Sequence, residues 1–272
     1  MSTRLYKFEG AGNDFLLAVE AWADRLNNEP DLVRRLCDRR RGLGADGTLA
    51  VEAVGAGRVR LGYRNADGSV GAFCANGTRC AARAAVELLG CASKLVVETG
   101  WTEVSAEVSG SQVSLTIPRP ERAPAQPEIA ALEGASPWTV VEIGVPHLAA
   151  ETRGVSELDL AEVAPRYRHH PALGAEGANV DLYEITDDGT IHIRTWERGV
   201  EGETLSCGSG MVAVALLVMA SRGSDRVELL PRSGDRVAVE ALGEPPRCAT
   251  RLTGPTRFVA TIELSEDLLG DL

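Results

Sequence analysis

Lysine is nearly missing from this 272-residue chain: of its 28 basic residues only Lys7 and Lys94 are lysines, and the other 26 are arginines. A pyridoxal-phosphate enzyme holds its cofactor as a Schiff base on a lysine. Lys7 falls in an expected N-terminal strand and Lys94 beside a strand start, so that chemistry is disfavoured and no cofactor is expected. Histidine is scarce too: His147, His169, His170 and His192 leave little material for a metal site, and none is expected. Positive charge is short overall, with a net charge of −11. A nucleic-acid partner is therefore disfavoured, because phosphate neutralisation needs a basic face. Long apolar runs are absent as well. The longest, Met211 to Ala220, has ten residues, half of the roughly 20 that span a bilayer. Residues 1–15 show no apolar core of a signal peptide, and the expectation is a soluble, cytoplasmic protein without membrane contact. None of the six cysteines forms a C-x-x-C pair, which removes the usual zinc-ribbon and thioredoxin-like patterns.

What is present is a globular composition, 44% hydrophobic and 25% charged, at a length that predicts about two domains. Strands are expected at Leu5–Phe8, Phe15–Val19, Thr48–Val54 and Arg58–Tyr63, and a helix from Pro30 to Arg40. A second helix starts near Cys74 and ends at Gly90. Strands Leu95–Glu98, Glu103–Val108 and Gln112–Ile117 follow. Residues 118–137 then carry five of the thirteen prolines, the best boundary between halves. Beyond it come strand Val140–Ile143, a helix near Glu157–Val163, and strands Asn179–Ile185 and Thr190–Trp196. A third helix follows Cys207 and stops before Gly223, and strands Arg226–Leu230, Arg236–Ala241 and Phe258–Leu264 close the pattern. Strands and helices do not alternate as in a doubly wound sheet, so the class is α+β.

The two halves share an order. Tyr63–Gly77 reads YRNADGSVGAFCANG and Trp196–Gly210 reads WERGVEGETLSCGSG. In each, an aromatic ends a strand, a polar loop follows, and C-x-x-G opens an Ala/Val/Leu-rich helix. The aromatic-to-cysteine separation is eleven in both, which suggests duplication.

Cys74 and Cys207 thus stand at helix starts. Free N–H groups and the positive dipole end should lower a thiol's pKa and cradle a carboxylate. With one sulfur on each face of an α-carbon, one thiolate removes the α-proton and the opposite thiol delivers one, inverting the centre without a cofactor. Buried structural thiols are the alternative reading. Cys37 and Cys80 fall on apolar helix faces and read as core. Gly42–Gly47 matches G-x-G-x-x-G literally, but it follows a helix and precedes a strand, the reverse of a dinucleotide site, and reads as a turn. His169-His170 before Pro171 reads as a solvated helix end.

Four blocks resemble one family. GAGNDF (Gly10–Phe15), RGLGADG (Arg41–Gly47), NADGS through CANGTRC (Asn65–Cys80) and ERGVEGETLSCGSG (Glu197–Gly210) are similar to the signatures of diaminopimelate epimerases, in the same order. The resemblance implies Cys74 and Cys207 as the acid/base pair of a cofactor-independent epimerase acting on 2,6-diaminopimelate. It implies the amides of Ala75, Asn76, Gly208 and Ser209 on the reacting carboxylate, and Asn13, Asn65, Asn179, Glu197 and Arg198 on the distal end. Gly47 and His147 would lie near the site. It further implies a homodimer and two pseudo-symmetric halves, each a mixed β-sheet barrel around a central helix. The halves are 1–118 with Cys74, to which a strand near 258–272 returns, and 119–257 with Cys207. The chain departs from the pattern at Val145, where the family has Asn, at Ala75 for Gly, and at Glu201, an added loop residue. Two other functions remain open: a cofactor-free racemase of another, for example basic, amino acid, and a non-catalytic amino-acid binder.

Overall fold

The computed structural model describes residues 4–55 and 57–269. It divides into two compact units, one of residues 1–115 with 254–272 and one of residues 116–253. In the first unit lie strands β1 (Arg4–Gly10), β2 (Asn13–Val19), β3 (Gly47–Gly55), β4 (Arg58–Asn65), β5 (Lys94–Glu98) and β6 (Glu103–Ser109), with helices α1 (Ala21–Asn28), α2 (Pro30–Cys37) and α3 (Ala75–Leu89). Strand β7 (Gln112–Ile117) leads out of it. The second unit holds β8 (Thr139–Ile143), β9 (Val145–Glu151), α4 (Leu160–Val163), α5 (Pro165–Arg168), β10 (Asn179–Ile185), β11 (Ile191–Glu197), β12 (Gly202–Thr204), α6 (Gly208–Arg222), β13 (Arg226–Pro231) and β14 (Val237–Ala241). Strand β15 (Thr250–Pro255) leads back, and β16 (Arg257–Glu263) and α7 (Glu266–Leu269) complete the first unit, with β16 antiparallel to β1.

The two units repeat one strand-pairing scheme. In the first unit β1/β2 is antiparallel, β2/β3 parallel, β3/β4 antiparallel, β4/β5 parallel and β5/β6 antiparallel. In the second, β8/β9, β9/β10, β10/β11, β11/β13 and β13/β14 follow the same sequence of directions. Each parallel step after β4 or β11 is the crossover through a 15-residue helix, α3 or α6. The chain is therefore α+β with two pseudo-symmetric halves, each a mixed sheet wrapped around one helix: α3 packs on β1 through β6, and α6 on β8, β9, β10, β13 and β14.

Composition makes that wrapping workable. Helix α3 carries four alanines with no side-chain exposure on its inner turns, and α6 is MVAVALLVMA through its centre. Small side chains let strands close around a helix, and burying each Val or Leu contributes about 1.5–3 kcal/mol. Both helices stop at a left-handed glycine, Gly90 (φ 67°) and Gly223 (φ 65°), where a Cβ would be strained. A second apolar layer covers each sheet's outer face. In the first unit Trp22, Leu26, Leu32, Val33 and Leu36 of α1 and α2 supply it. In the second, Trp138 packs against Tyr167 of α5 with ring centroids 4.6 Å apart and planes tilted by 50°.

Several elements differ from the sequence reading. Helix α2 ends at Cys37, not Arg40, because the Asp38 carboxylate accepts the N–H groups of Arg40 and Arg41 and turns the chain. Helix α1 and strands β9, β12 and β15 were not expected. The equal spacing of eleven also has a different meaning. Strand register pairs Phe15 with Gly47 and Leu49 with Tyr63 in one unit, and His147 with Asn179 and Asp181 with Thr195 in the other. Tyr63 therefore corresponds to Thr195 rather than to Trp196, and the second loop is one residue longer.

Candidate active site

Each helix start places a cysteine in the same position. Cys74 is the N-cap of α3, with extended backbone (φ −143°), and its Sγ accepts the Gly77 N–H at 3.5 Å. Cys207 is the N-cap of α6, likewise extended (φ −115°), but its side chain makes no capping hydrogen bond to the helix. At Cys74 the thiol caps one of the donors that a helix start leaves free. The remaining amides of 75–76 and 208–209 are the groups that a carboxylate would use.

Around Cys74 the first unit builds a polar support. Asn13, at the start of β2, accepts from the Cys74 thiol through Oδ1 at 3.5 Å and donates Nδ2 to Asp46 at 2.7 Å. Arg39 holds Asp46 and Asp14 at 2.7 Å each, and Lys7 pairs with Asp14 at 2.5 Å. Burial pushes the Asp14 carboxyl up, but the Arg39 and Lys7 hydrogen bonds outweigh it and hold the group at about 2. GAGNDF and GLGADG thus meet through Asp14 and Asp46. Asn65 accepts from the Tyr63 hydroxyl at 2.6 Å and donates to Ser69 at 2.9 Å, so its amide is engaged within its own turn. The Asn76 side chain is turned inward onto Arg79 at 2.8 Å. Gly47 leaves room for its neighbour strand: a Cβ there would lie 2.4 Å from the Arg64 carbonyl oxygen.

Around Cys207 the second unit builds a longer network. His147 on β9 is fully buried; its Nδ1 lies 2.7 Å from Asp181 Oδ2 and its Nε2 2.9 Å from Ser209 Oγ. Ser209 Oγ is in turn 3.5 Å from Cys207 Sγ. Asp181 Oδ1 accepts from Thr195 at 2.7 Å. Asn179 accepts the Arg198 backbone N–H at 2.7 Å, which directs its Nδ2 toward His147 Nε2 at 3.4 Å. Glu197 accepts from Thr204 at 2.6 Å and lies in hydrogen-bonding reach of the Cys207 thiol. Burial raises the Glu197 carboxyl above its ordinary value. The guanidinium of Arg198 makes no ion pair among the described residues, and it can offer two donors to a carboxylate.

The expected lowering of both thiols fails at Cys207. Burial first, then the charges of Glu197 and Asp181, push its pKa well above the ordinary thiol value, and the Ser209 hydrogen bond does not offset them. Desolvation and two neighbouring carboxylates outweigh a helix start. Cys37 and Cys80 are buried as read, and burial drives Cys37 to about 12. Sequence reasoning missed Asp46, Asp181, Thr195 and Thr204. Asp181 carried the one available signal, an acid inside the apolar strand NVDLYEI. Val145 holds in the second unit the register place that Asn13 holds in the first.

A duplicated mixed sheet around a central helix defines the fold class. Solved structures that share it include a phenazine biosynthesis protein of the PhzF family from Bacillus anthracis, with TM-score 0.74, 11% identity, and 97% of this chain and 99% of that one covered. A hydroxyproline epimerase from Agrobacterium vitis follows at TM-score 0.67 and 17% identity, covering 96% and 90%. The family profile "Diaminopimelate epimerase" matches residues 5–116 and 139–259. A diaminopimelate epimerase of Chlorobaculum tepidum is 35% identical over 258 residues, 92% of this chain and 96% of the relative. One of Archaeoglobus fulgidus is 36% identical over 244 residues, 84% and 86%. The chain belongs to the diaminopimelate epimerase family and is an isomerase.

Proposed function

We propose that the protein converts LL-2,6-diaminopimelate to meso-2,6-diaminopimelate by two-base chemistry, a step that supplies lysine and peptidoglycan precursors. The observation that carries this reading is the matched pair of cysteines, each the extended N-cap residue at the start of a central 15-residue helix. Family membership and the names of the relatives support the substrate. Cys74 acts as thiolate and takes the α-proton. Cys207, whose surroundings favour the protonated form, delivers its proton to the opposite face. The Cα–H bond breaks on one side and a new one forms on the other, leaving Cys74 as thiol and Cys207 as thiolate. Helix-start amides of Ala75, Asn76, Gly208 and Ser209 stabilise the charge that spreads onto the carboxylate. Arg198 takes the distal carboxylate and Glu197 an ammonium, with Asn13, Asn65 and Asn179 completing the polar lining. The reading further has the enzyme working in the cytoplasm, as a homodimer and without a cofactor.

Proton NMR of LL-diaminopimelate with reduced enzyme in D₂O tests it. Loss of the α-proton signal with appearance of meso product is expected, and Cys74→Ala and Cys207→Ala each abolish turnover. Val145 motivates a second reading, a racemase of another amino acid. Exchange in arginine or lysine, with none in diaminopimelate, would establish that reading instead.

A further inference from the structure

The two units solve the same packing position differently. By strand register Phe15 in the first unit is equivalent to His147 in the second, Leu49 to Asp181 and Tyr63 to Thr195. The helix glycines correspond as well. A Cβ on Gly77 would meet Leu49 and Phe15, at 3.0 and 3.4 Å, whereas one on Gly210 would meet Asp181 Oδ1 at 2.4 Å. An apolar pair is therefore enough for the fold at this position. In the second unit the position holds a histidine and a carboxylate instead, both with no exposure. Burying such groups is costly unless they are fully hydrogen-bonded, so their presence points to chemistry.

Their hydrogen bonds run in one direction. An ionised Asp181 only accepts; Thr195 donates to Oδ1, and His147 Nδ1–H donates to Oδ2. Independently, the Arg198 N–H fixes the Asn179 amide so that its NH₂ faces His147 Nε2. Both bonds select the tautomer with the proton on Nδ1 and the lone pair on Nε2. Ser209 then donates its hydroxyl proton to Nε2, leaving its oxygen to accept from the Cys207 thiol.

We propose that Asp181 is a positioning residue that holds His147 as the terminus of a proton relay, Cys207 to Ser209 to His147. The relay rests on the two-base reading above. The Cys207 S–H bond breaks as its proton moves to Ser209 Oγ, while the Ser209 proton moves to His147 Nε2. The products are a thiolate, a neutral hydroxyl and an imidazolium facing the Asp181 carboxylate. Run forward, the relay discharges Cys207 for the meso-to-LL direction. Run backward, it reloads Cys207 after each opposite turnover. Glu197 also reaches the thiol but serves the substrate ammonium.

The test compares wild type with Asp181→Asn, Ser209→Ala and the double variant His147→Phe/Asp181→Leu, which copies the apolar solution of the first unit and so keeps the fold. ¹⁵N NMR of histidine-labelled protein should find His147 protonated on Nδ1 in wild type and on Nε2 in Asp181→Asn. Turnover should drop about 100-fold or more in all three variants, with KM in Asp181→Asn and Ser209→Ala within threefold of wild type. Full kcat in folded Asp181→Asn or Ser209→Ala, or an Nε2-protonated His147 in wild type, would overturn the relay alone. A wild type that exchanges no α-proton of diaminopimelate would overturn the two-base reading and the relay with it.

Discussion

The side-chain amide of Asn13 donates to Asp46 across 2.7 Å, and that bond decides which end of the amide meets Cys74. With Nδ2 engaged, Oδ1 is left to accept from the thiol. Asp46 is itself held by Arg39, so the acceptor at Cys74 is oriented from two residues away. Replacing Asp46 by Ala frees the amide to rotate. The loss of one charge-assisted bond, about 1.5–3 kcal/mol, should lower kcat/KM for diaminopimelate by roughly 10- to 100-fold. Unchanged kcat/KM in folded Asp46→Ala would show that the amide needs no such support.

The Cys207 thiol should resist ionisation, and it should do so because of its neighbours. Thiolate absorbance near 240 nm, taken as the difference between wild type and Cys207→Ser, should rise only well above the ordinary thiol range. A carboxylate beside a thiol disfavours the thiolate, so removing it lowers the pKa. Glu197→Gln should therefore move the Cys207 titration to lower pH. An unmoved or higher midpoint would mean that Glu197 does not act on the sulfur.

Gly77 and Gly210 occupy equivalent helix positions but should differ in tolerance. Alanine at 77 puts its Cβ 3.0 Å from a Leu49 methyl, which can shift slightly. Alanine at 210 puts it 2.4 Å from Asp181 Oδ1, an atom already fixed by Thr195. Urea unfolding should show Gly210→Ala destabilised by about 1–3 kcal/mol and Gly77→Ala by less. The reverse order would contradict the packing described.

Acid should loosen the first unit through Asp14. Its folded pKa of about 2 lies below the ordinary 3.8. A depressed carboxyl stabilises the fold above its unfolded pKa and loses that contribution as pH falls through the folded one. About 2 kcal/mol should therefore disappear between roughly pH 4 and pH 2. Asp14→Asn should flatten the stability profile in that window while lowering its neutral-pH plateau; an unchanged slope would rule out the assignment.

The strands and the two central helices were legible because their signals are local: apolar alternation, a cysteine followed by small residues, and a terminal glycine. Helix α1 was not, since AWADRLNN begins after Glu20 in a left-handed conformation (φ 57°) with no capping side chain. Strand β9 opens on Val145-Pro146, and β15 contains Gly254-Pro255, both of which read as loop. The site divided along the same line. The cysteines and the residues beside them followed from contiguous motifs. Asp46 and Asp181 act through Asn13 and His147, from 33 and 34 positions away in the chain, and only the folded register brings each pair together. The raised Cys207 thiol has the same origin, because a helix start is visible in sequence and a buried carboxylate beside it is not.

The scarcity of lysine has a practical side once the fold is known. Lys7 is locked onto Asp14 and the Gly44 carbonyl. The other ε-amine, Lys94, stands at the head of β5 with its side chain 77% exposed, beside the start of β4 and so at the end of that strand away from Cys74. Among lysine side chains, an acylating dye or an activated surface therefore finds one open amine. A protein that surrounds itself with arginine has thereby kept one exposed lysine, and a molecule attached through Lys94 would have the thiol end of its sheet turned away from the support.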